Sequence, residues 1–204
     1  METIKKATRV LGIFGSPRRG GNTDILLEQA LEGAESVGAA VSTIKCCDLS
    51  IEGCLECGGC DETGTCVIED DMNIVYPQLM ESDVIILASP IFFYSVTSQA
   101  KALIDRCQAM WCKRDLERKA GKKLDHDTGR GHLICVGATK GKNLFDGVSL
   151  VARYFFDALG KTYEGGIQIR SIEGKGDISQ HPDEIQKAYE LGRSAVLGTT
   201  NSVK

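Results

Sequence analysis

The sequence predicts an α/β protein with a doubly wound, five-stranded parallel sheet that carries helices on both faces. Short apolar stretches alternate with helical patterns along the chain, as expected when helices connect parallel strands. Residues 83–89 form a continuous apolar run, which is typical of a central parallel strand buried on both faces. Since domains commonly span ~100–200 residues, we expect the chain, residues 1–204, to form a single domain.

Five strands are predicted where apolar and β-branched residues cluster between polar or glycine-rich segments. The stretches TRVLGIF and HLICVGA are short and apolar, AVSTIKC is β-branched, and DVIILAS is the strongest of the set. The fifth strand is weaker because Gly165 and Gly166 interrupt it. In chain order, the predicted strands are residues 8–14, 40–46, 83–89, 132–138 and 162–170.

Five helices are predicted where apolar residues recur every three or four positions. The second helix follows Asp70 or Asp71, either of which suits an N-cap, although Pro77 inside it weakens the prediction. The last helix begins at Pro182, which the first turn of a helix accommodates. In chain order, the predicted helices are residues 23–37, 71–80, 95–111, 143–159 and 182–197.

Composition is that of an ordinary globular protein. A hydrophobic fraction of 42% and a charged fraction of 25% allow a buried core, and a net charge of −4 argues against nucleic acid as a partner. No apolar run approaches the ~20 residues that span a membrane, and the N-terminus lacks the apolar core of a signal peptide. We therefore expect a cytoplasmic protein without a membrane partner. In that compartment, nine cysteines are not expected to form a disulfide framework.

The segment GSPRRGGNT lies between the first strand and the first helix. Backbone amides and the dipole at a helix N-terminus favour an anion, and glycines allow it to approach closely. Ser16, Asn22 and Thr23 carry side chains that can donate to phosphate oxygens. Arg18 or Arg19 supplies positive charge. The segment matches neither G-x-G-x-x-G nor a Walker A loop. It indicates a phosphate site, and a polar turn capped by Thr23 is the alternative.

The segment SPIFFYS follows the third strand, and Pro90 stiffens its turn. Phe92, Phe93 and Tyr94 lie at the carboxyl end of the strand, where core packing does not demand aromatic residues. Doubly wound sheets bind ligands beyond the carboxyl ends of their strands. We therefore expect these rings to pack against a flat apolar ring such as an isoalloxazine. Aromatic residues that only cover the core are the alternative.

After the fourth strand, the segment ATKGKN again precedes a helix. Its backbone amides, beginning with Thr139, are expected to reach the polar edge of the same ring. A plain β–α turn fits this segment equally well.

The cysteine-rich loop, residues 53–67, contains four cysteines spaced C-x2-C-x2-C-x5-C: Cys54, Cys57, Cys60 and Cys66. Two-residue gaps let successive thiolates turn toward one small centre, which suits a metal or an iron–sulfur cluster better than disulfides. Zinc is one alternative, although zinc sites more often use two separate cysteine pairs. Free thiols or an occasional disulfide are another. The remaining cysteines are expected to be buried and inert: Cys46, Cys47, Cys107, Cys112 and Cys135.

The first loop resembles the phosphate loop of the flavodoxin-like NAD(P)H-dependent FMN reductase superfamily, whose pattern is close to G-S-x-R-x-x-x-N-T. Five residues match it: Gly15, Ser16, Arg18, Asn22 and Thr23. The resemblance implies a flavodoxin-like fold in which these residues hold the phosphate of FMN.

The third-strand loop is similar to the T-P-[VI]-Y-F-x-S of the same superfamily. Here Ser89 replaces the threonine and Phe92 replaces the tyrosine, so that a tyrosine hydroxyl is missing. By resemblance, further FMN contacts come from this loop and the next: Ser89, Pro90, Ile91, Phe92, Phe93 and Thr139.

The cysteine spacing and the D-D-M that follows it resemble the iron–sulfur flavoproteins, one branch of that superfamily. The resemblance implies that a [4Fe–4S] cluster is ligated by the four cysteines of the motif: Cys54, Cys57, Cys60 and Cys66.

Residues 111–130 form a connection that is longer than β/α units usually need, and they interleave basic and acidic side chains. One interpretation is a solvated helix and loop. The other is a lid or subunit contact near the flavin, where an arginine or lysine would receive a phosphate of NADPH.

These features favour an FMN-dependent oxidoreductase that couples FMN to a [4Fe–4S] cluster, with NAD(P)H as electron donor. Because the chemistry would take place on the flavin, no catalytic residue is predicted. One alternative is a cluster-free NAD(P)H-dependent FMN or quinone reductase, and another is a flavodoxin-like electron carrier without a substrate of its own. By resemblance, we expect a homodimer or homotetramer and a small-molecule or protein redox partner.

Overall fold

The computed structural model describes residues 6–122 and 129–198. The strands are β1 Arg9–Phe14, β2 Ala40–Lys45, β3 Val84–Pro90, β4 Gly129–Gly137 and β5 Lys161–Arg170. The helices are α1 Asn22–Glu35, α2 Met72–Glu81, α3 Ser98–Arg106, α4 Gln108–Lys119, α5 Asp146–Ala158 and α6 Pro182–Leu197. Two short 3-10 helices occupy Cys46–Asp48 and Asp177–Gln180. Within the described ranges, every helix is too short or too polar to cross a lipid bilayer.

The strands form one sheet in the order β2-β1-β3-β4-β5, and all neighbouring pairs are parallel. This is the flavodoxin-like order of a doubly wound sheet, which confirms the predicted fold class. The chain passes from β1 to β2 on one side and returns to β3 on the other side of β1. The carboxyl ends of β1 and β3 therefore flank the switch point, where such sheets bind their ligands.

Side chains of successive strand residues enter two separate hydrophobic layers, one on each face of the sheet. On β1, Leu11 and Ile13 belong to the layer that includes α2, α3 and α5. Val10 and Phe14 belong to the layer that includes α1 and α6. β3 contributes to both layers and is buried up to Ser89, as predicted for a central strand.

The prediction of one helix over residues 95–111 is wrong, because the structure has two helices that meet at Cys107. α3 begins late because Ser95 lies in a short antiparallel bridge. Thr97 then caps the helix, since its hydroxyl oxygen accepts a hydrogen bond of 3.3 Å from the Ala100 amide. At the other end, Cys107 has a ψ of −2°, which turns the chain out of the helix. The apolar periodicity continues through this break and therefore did not reveal it.

His132 is buried in β4, and neither of its ring nitrogens has a hydrogen-bond partner among the described residues. Burial, together with the positive charge of Arg130, lowers the pKa of the imidazole to about 4. The Glu164 carboxylate lies 3.7 Å from Nε2. That distance is beyond good hydrogen-bonding reach, so the carboxylate does not offset the cost of burying a charged ring.

We expect the free energy of unfolding to fall by about 2 kcal/mol between pH 7 and pH 5, because an unfolded histidine, with a pKa of ~6.5, takes up a proton that folded His132 does not. The folded pKa is lowered, so stability is lost as pH falls below the unfolded pKa and the loss levels off near pH 4. Urea unfolding at the two pH values measures the effect. His132→Gln should remove most of it, and an undiminished loss in that variant would contradict the assignment.

Candidate functional site

A cleft with a volume of about 230 Å³ lies at the carboxyl edge of the sheet. Its walls come from the loops that follow β1, β3, β4 and β5. Seven of the predicted FMN contacts line it: Ser16, Arg18, Asn22, Thr23, Pro90, Ile91 and Phe92. The structure thus brings the loops after β1 and β3 together at the switch point, where a doubly wound sheet binds its ligand.

Helix α1 directs its N-terminus at this cleft. Its N-cap is Gly21, which has no side chain to accept hydrogen bonds from the first amides of the helix. Those amides have no partner within the helix either, and Asn22 and Thr23, which carry the first two, line the cleft. The Ser16 hydroxyl accepts a hydrogen bond of 3.1 Å from the amide of Arg18, which shapes the loop before the helix. Together with the Arg18 side chain, this arrangement is suited to hold a phosphate group.

Asn22 has a second role that the sequence did not indicate. Its side-chain amide donates to the carbonyl of Gly174 at 2.8 Å, and its side-chain oxygen accepts from the amide of Ile178 at 3.1 Å. Asn22 therefore ties the loop after β5 to the start of α1. This loop brings Glu173 and Lys175 to the cleft. Sequence reasoning missed both residues, although a lysine between two glycines just after a strand was a usable signal.

Gly15 and Ser89 lie behind the cleft and do not line it. The Gly15 amide donates to the carbonyl of Ala88 at 2.7 Å, and the Gly15 carbonyl accepts from the Thr97 hydroxyl. Ser89 is fully buried, and its hydroxyl oxygen accepts from the Thr97 amide at 3.2 Å. Thr97, which sequence reasoning missed, thus bonds two loops. It holds the phosphate loop, residues 15–23, at a fixed separation from the aromatic loop, residues 89–95.

The aromatic loop contains two successive residues in the left-handed backbone region. Phe93 has a φ of 49° and Tyr94 a φ of 62°, a conformation that disfavours residues with a side chain. The Phe93 side chain is fully exposed and does not line the cleft. A Cβ atom at Gly141 would lie 2.9 Å from the Tyr94 hydroxyl and 3.8 Å from the hydroxyl of Thr139. The predicted contact Thr139 therefore lies near Tyr94 and Gly141, and it does not line the cleft.

Arg106 closes the base of the cysteine loop. Its side chain is 1% exposed and forms hydrogen bonds of 2.6 and 3.2 Å with the Asp70 carboxylate. It also donates to the carbonyls of Glu52 at 3.0 Å and Ile68 at 3.2 Å, one on each side of the loop. Burial alone would raise the pKa of Asp70, but hydrogen bonds from Arg106 and from backbone amides lower it overall. The cysteine loop is thus anchored to α3 by a buried ion pair.

The four predicted cluster ligands are all free thiols. Cys54 and Cys57 are exposed, whereas Cys60 and Cys66 are half-buried. The sulfur of Cys60 lies 3.7 Å from that of Cys112 on α4. Cys112 is buried, as predicted, but it is not an isolated core residue. Sequence reasoning missed this contact because the two cysteines are 52 positions apart and no spacing pattern links them.

The first nine residues of the predicted connection over residues 111–130 belong to helix α4, which packs against the cysteine loop. A Cβ atom at Gly64 of that loop would lie 2.7 Å from the Cα of Lys113. The Arg114 guanidinium donates to the carbonyl of Asp157 in α5. No residue of α4 lines the cleft formed by the described residues. Residues 123–128, which include Lys123, lie outside them, so the lid or subunit contact stays a prediction.

Comparisons with known proteins identify relatives of this sequence. A sequence model for NADPH-dependent FMN reductases matches residues 8–141. The iron-sulfur flavoprotein MJ1083 of Methanocaldococcus jannaschii is 37% identical over 113 residues, which make up 55% of this chain and 58% of that protein. An iron-sulfur flavoprotein of Archaeoglobus fulgidus is 38% identical over 116 residues, or 57% of this chain and 53% of that protein. The chain thus spans little more than half the length of these relatives.

Among solved structures, an NAD(P)H:quinone oxidoreductase from Methanothermobacter marburgensis superposes with a TM-score of 0.69. The superposition covers 93% of this chain and 96% of that one, and the sequences are 15% identical. At that identity, the likeness concerns the fold alone.

Proposed function

This chain belongs to the NADPH-dependent FMN reductase family, and from that premise we propose that it is an FMN-dependent oxidoreductase. The observation that carries the proposal is the convergence of the phosphate loop and the aromatic loop on one cleft at the switch point of the sheet. When bound, FMN would supply the redox chemistry, because it accepts electrons in pairs and releases them singly. The protein would bind and orient the flavin.

The donor set of the cleft fits FMN. Arg18, Lys175 and the first amides of α1 supply positive charge and hydrogen-bond donors for a phosphate at one end. Ile91 and Phe92 supply an apolar wall for the flavin ring. We propose NAD(P)H as the electron donor and a small molecule or a protein as the acceptor. The description of the family supports the donor.

We further propose that Cys54, Cys57, Cys60 and Cys66 hold a [4Fe–4S] cluster. The chemistry of the donor set supports this assignment, since all four are unpaired thiols on one loop and thiolates are the usual ligands of such clusters. The names of the two archaeal relatives also support it. The buried Arg106 would hold the base of the loop in place. The cluster would exchange single electrons with the flavin.

The second candidate is an NAD(P)H-dependent FMN or quinone reductase without a cluster. The 3.7 Å contact between Cys60 and Cys112 favours it, because this contact joins one of the four predicted cluster ligands to a cysteine that lies outside the motif. Both candidates use the same flavin cleft, so they differ only in the role of the cysteine loop. A flavodoxin-like carrier would use the cleft as well but would turn over no substrate.

Anaerobic purification followed by a visible spectrum and assays of iron, sulfide and FMN tests these functions. We expect flavin bands together with about four iron and four sulfide per chain if the cluster forms. Flavin without iron, after anaerobic reconstitution, would leave the cluster-free reductase. A chain that binds no FMN would contradict both. Turnover of NADPH or NADH with a quinone would then separate a reductase from a carrier.

We also propose that the chain forms a homodimer or homotetramer. Phe93 is fully exposed at the edge of the cleft, and Tyr94 and Tyr154 are more than half exposed. Exposed aromatic residues of this kind are enriched in subunit contacts. Sedimentation of the flavin-bound protein tests this proposal, and a monomer at micromolar concentration would contradict it.

A further inference from the structure

We propose that Cys60, Asp61 and Cys112 form a zinc(II) site that the cysteine motif does not predict. The sulfur of Cys112 lies 3.7 Å from the sulfur of Cys60 and 3.4 Å from the Oδ1 atom of Asp61. The ligand atoms of all three residues lie within 4.8 Å of one another. Two thiols and a carboxylate are ligands that zinc commonly takes.

The separations match the edges of a zinc tetrahedron. With Zn–S bonds of ~2.3 Å and tetrahedral angles, two sulfur ligands of one zinc ion lie about 3.8 Å apart. With a Zn–O bond of ~2.0 Å, the sulfur and oxygen ligands lie about 3.5 Å apart. The observed distances of 3.7 and 3.4 Å agree with both values. Two of the three edges thus already have the length that one ion needs, and the third pair lies within 4.8 Å. A water molecule would complete the coordination.

The turn that carries Cys60 and Asp61 is held in position by the protein. The Gly64 amide donates to the carbonyl of Cys60 at 2.8 Å, and the Asp61 amide donates to the carbonyl of Gly58 at 3.0 Å. Gly64 has a φ of 68°, and an added Cβ atom there would clash with the backbone of Lys113. This close packing fixes the turn directly beside Cys112. Such preorganisation raises metal affinity because little ordering is left to binding.

A neighbouring side chain supports the buried ligand. The Gln108 amide lies one helical turn before Cys112 on α4, and its nitrogen is 3.6 Å from the Cys112 sulfur. A hydrogen bond from this amide would stabilise a thiolate bound to the metal. Asp61 is exposed and Cys60 is half-buried, so an ion can enter from solvent on the side of the carboxylate. Binding would release the two thiol protons to water.

The zinc site and the proposed cluster share Cys60, so they exclude each other. Zinc would occupy the chain when no iron–sulfur cluster is assembled, and it would hold the cysteine loop against α4 in that form. The inference does not rest on FMN binding, because none of its three ligands lines the flavin cleft. It does predict that the cluster requires Cys54 but not Cys112, and that the zinc site requires Cys112 but not Cys54.

A zinc titration of the chain, reduced and freed of metal with a chelator, tests the proposal. Zinc chloride is added in competition with a chromogenic chelator, and we expect one tight site per chain. Cys112→Ser and Asp61→Asn should weaken it, the first by more than the ~10–100-fold that loss of an outer-shell partner costs. Cys54→Ser should leave zinc binding unchanged but abolish assembly of a [4Fe–4S] cluster, whereas Cys112→Ser should permit that assembly.

Matched controls separate the site from the fold and from the flavin. Cys107 is a buried cysteine just before the start of α4, and its thiol donates to the carbonyl of Leu103 at 3.4 Å. The Cys107→Ser variant should bind zinc normally. If serine at Cys112 disturbs the core, Asp61→Asn still decides the question, because Asp61 is exposed. Unchanged zinc affinity in Cys112→Ser, or equal losses in Cys54→Ser and Cys112→Ser, would overturn the proposal. FMN binding by the same preparations reports separately on the proposed function.

Discussion

Replacing Arg106 with methionine is expected to lower the free energy of unfolding by about 3–5 kcal/mol, because removing one partner leaves the other charge buried and unpaired. The Asp70 carboxylate is 8% exposed and would lose both of its hydrogen bonds to the guanidinium. The carbonyls of Glu52 and Ile68 would lose their donor as well. The base of the cysteine loop would open, so we also expect faster proteolysis within that loop.

Chemical unfolding of the apoprotein measures this effect, and Lys101→Met is a matched control on the same helix. Lys101 pairs with Asp105 at 2.6 Å, but both side chains are more than 40% exposed. Exposed pairs of this spacing contribute only about 0.3–0.5 kcal/mol. A loss of similar size in the two variants would show that Arg106 does not anchor the loop. Asp70→Asn in the Arg106→Met background should recover part of the stability, since it removes the unpaired charge.

Replacing Arg18 with alanine is expected to weaken FMN binding by about 10- to 100-fold, which corresponds to the ~1.5–3 kcal/mol of a hydrogen bond to a charged group. Arg18 lines the cleft beside the N-terminus of α1, where the phosphate of FMN is proposed to bind. The change should affect FMN far more than riboflavin, which lacks the phosphate. Titration of each flavin, followed by quenching of its fluorescence, measures both affinities.

Arg19→Ala provides the comparison for Arg18→Ala. It removes the same charge from the same loop, but the Arg19 guanidinium bonds Asp48 at 2.6 Å and does not line the cleft. We expect it to change FMN affinity less than threefold at 0.15 M salt, because the Asp48 carboxylate already offsets the charge of Arg19 and salt screens exposed charges. If both variants lose affinity equally, the positive charge of the loop acts at long range and Arg18 has no specific contact.

Most of the fold could be predicted because the three central strands have apolar patterns of their own, and β2 is rich in β-branched residues. β3 was recognisable from its continuous apolar run, and α6 from its periodicity and from Pro182 at its start. The late start of α3 at Ser98 could not be predicted in the same way. It depends on Thr97, which caps α3 while bonding the phosphate loop, and such a contact between distant segments leaves no trace in a local pattern.

The candidate site was predictable to the extent that it is built from single loops. The β1 and β3 loops carry their own motifs, and the strand order places them together. Lys175 and Cys112 escaped detection because their partners are remote in sequence. Lys175 reaches the cleft through the bonds of Asn22 with the β5 loop, and Cys112 meets Cys60 only because the cysteine loop packs on α4. Both contacts form only when the chain folds, so no local sequence pattern predicts them.

The backbone of Phe93 and Tyr94 also has a practical consequence. Each holds a left-handed conformation that costs a residue with a side chain roughly 1–2 kcal/mol, and glycine would remove this cost. A screen for thermal stability would therefore select glycine at both positions and discard two aromatic rings beside the flavin cleft. For anyone engineering this chain as a redox catalyst, robustness and an intact aromatic loop are opposing goals.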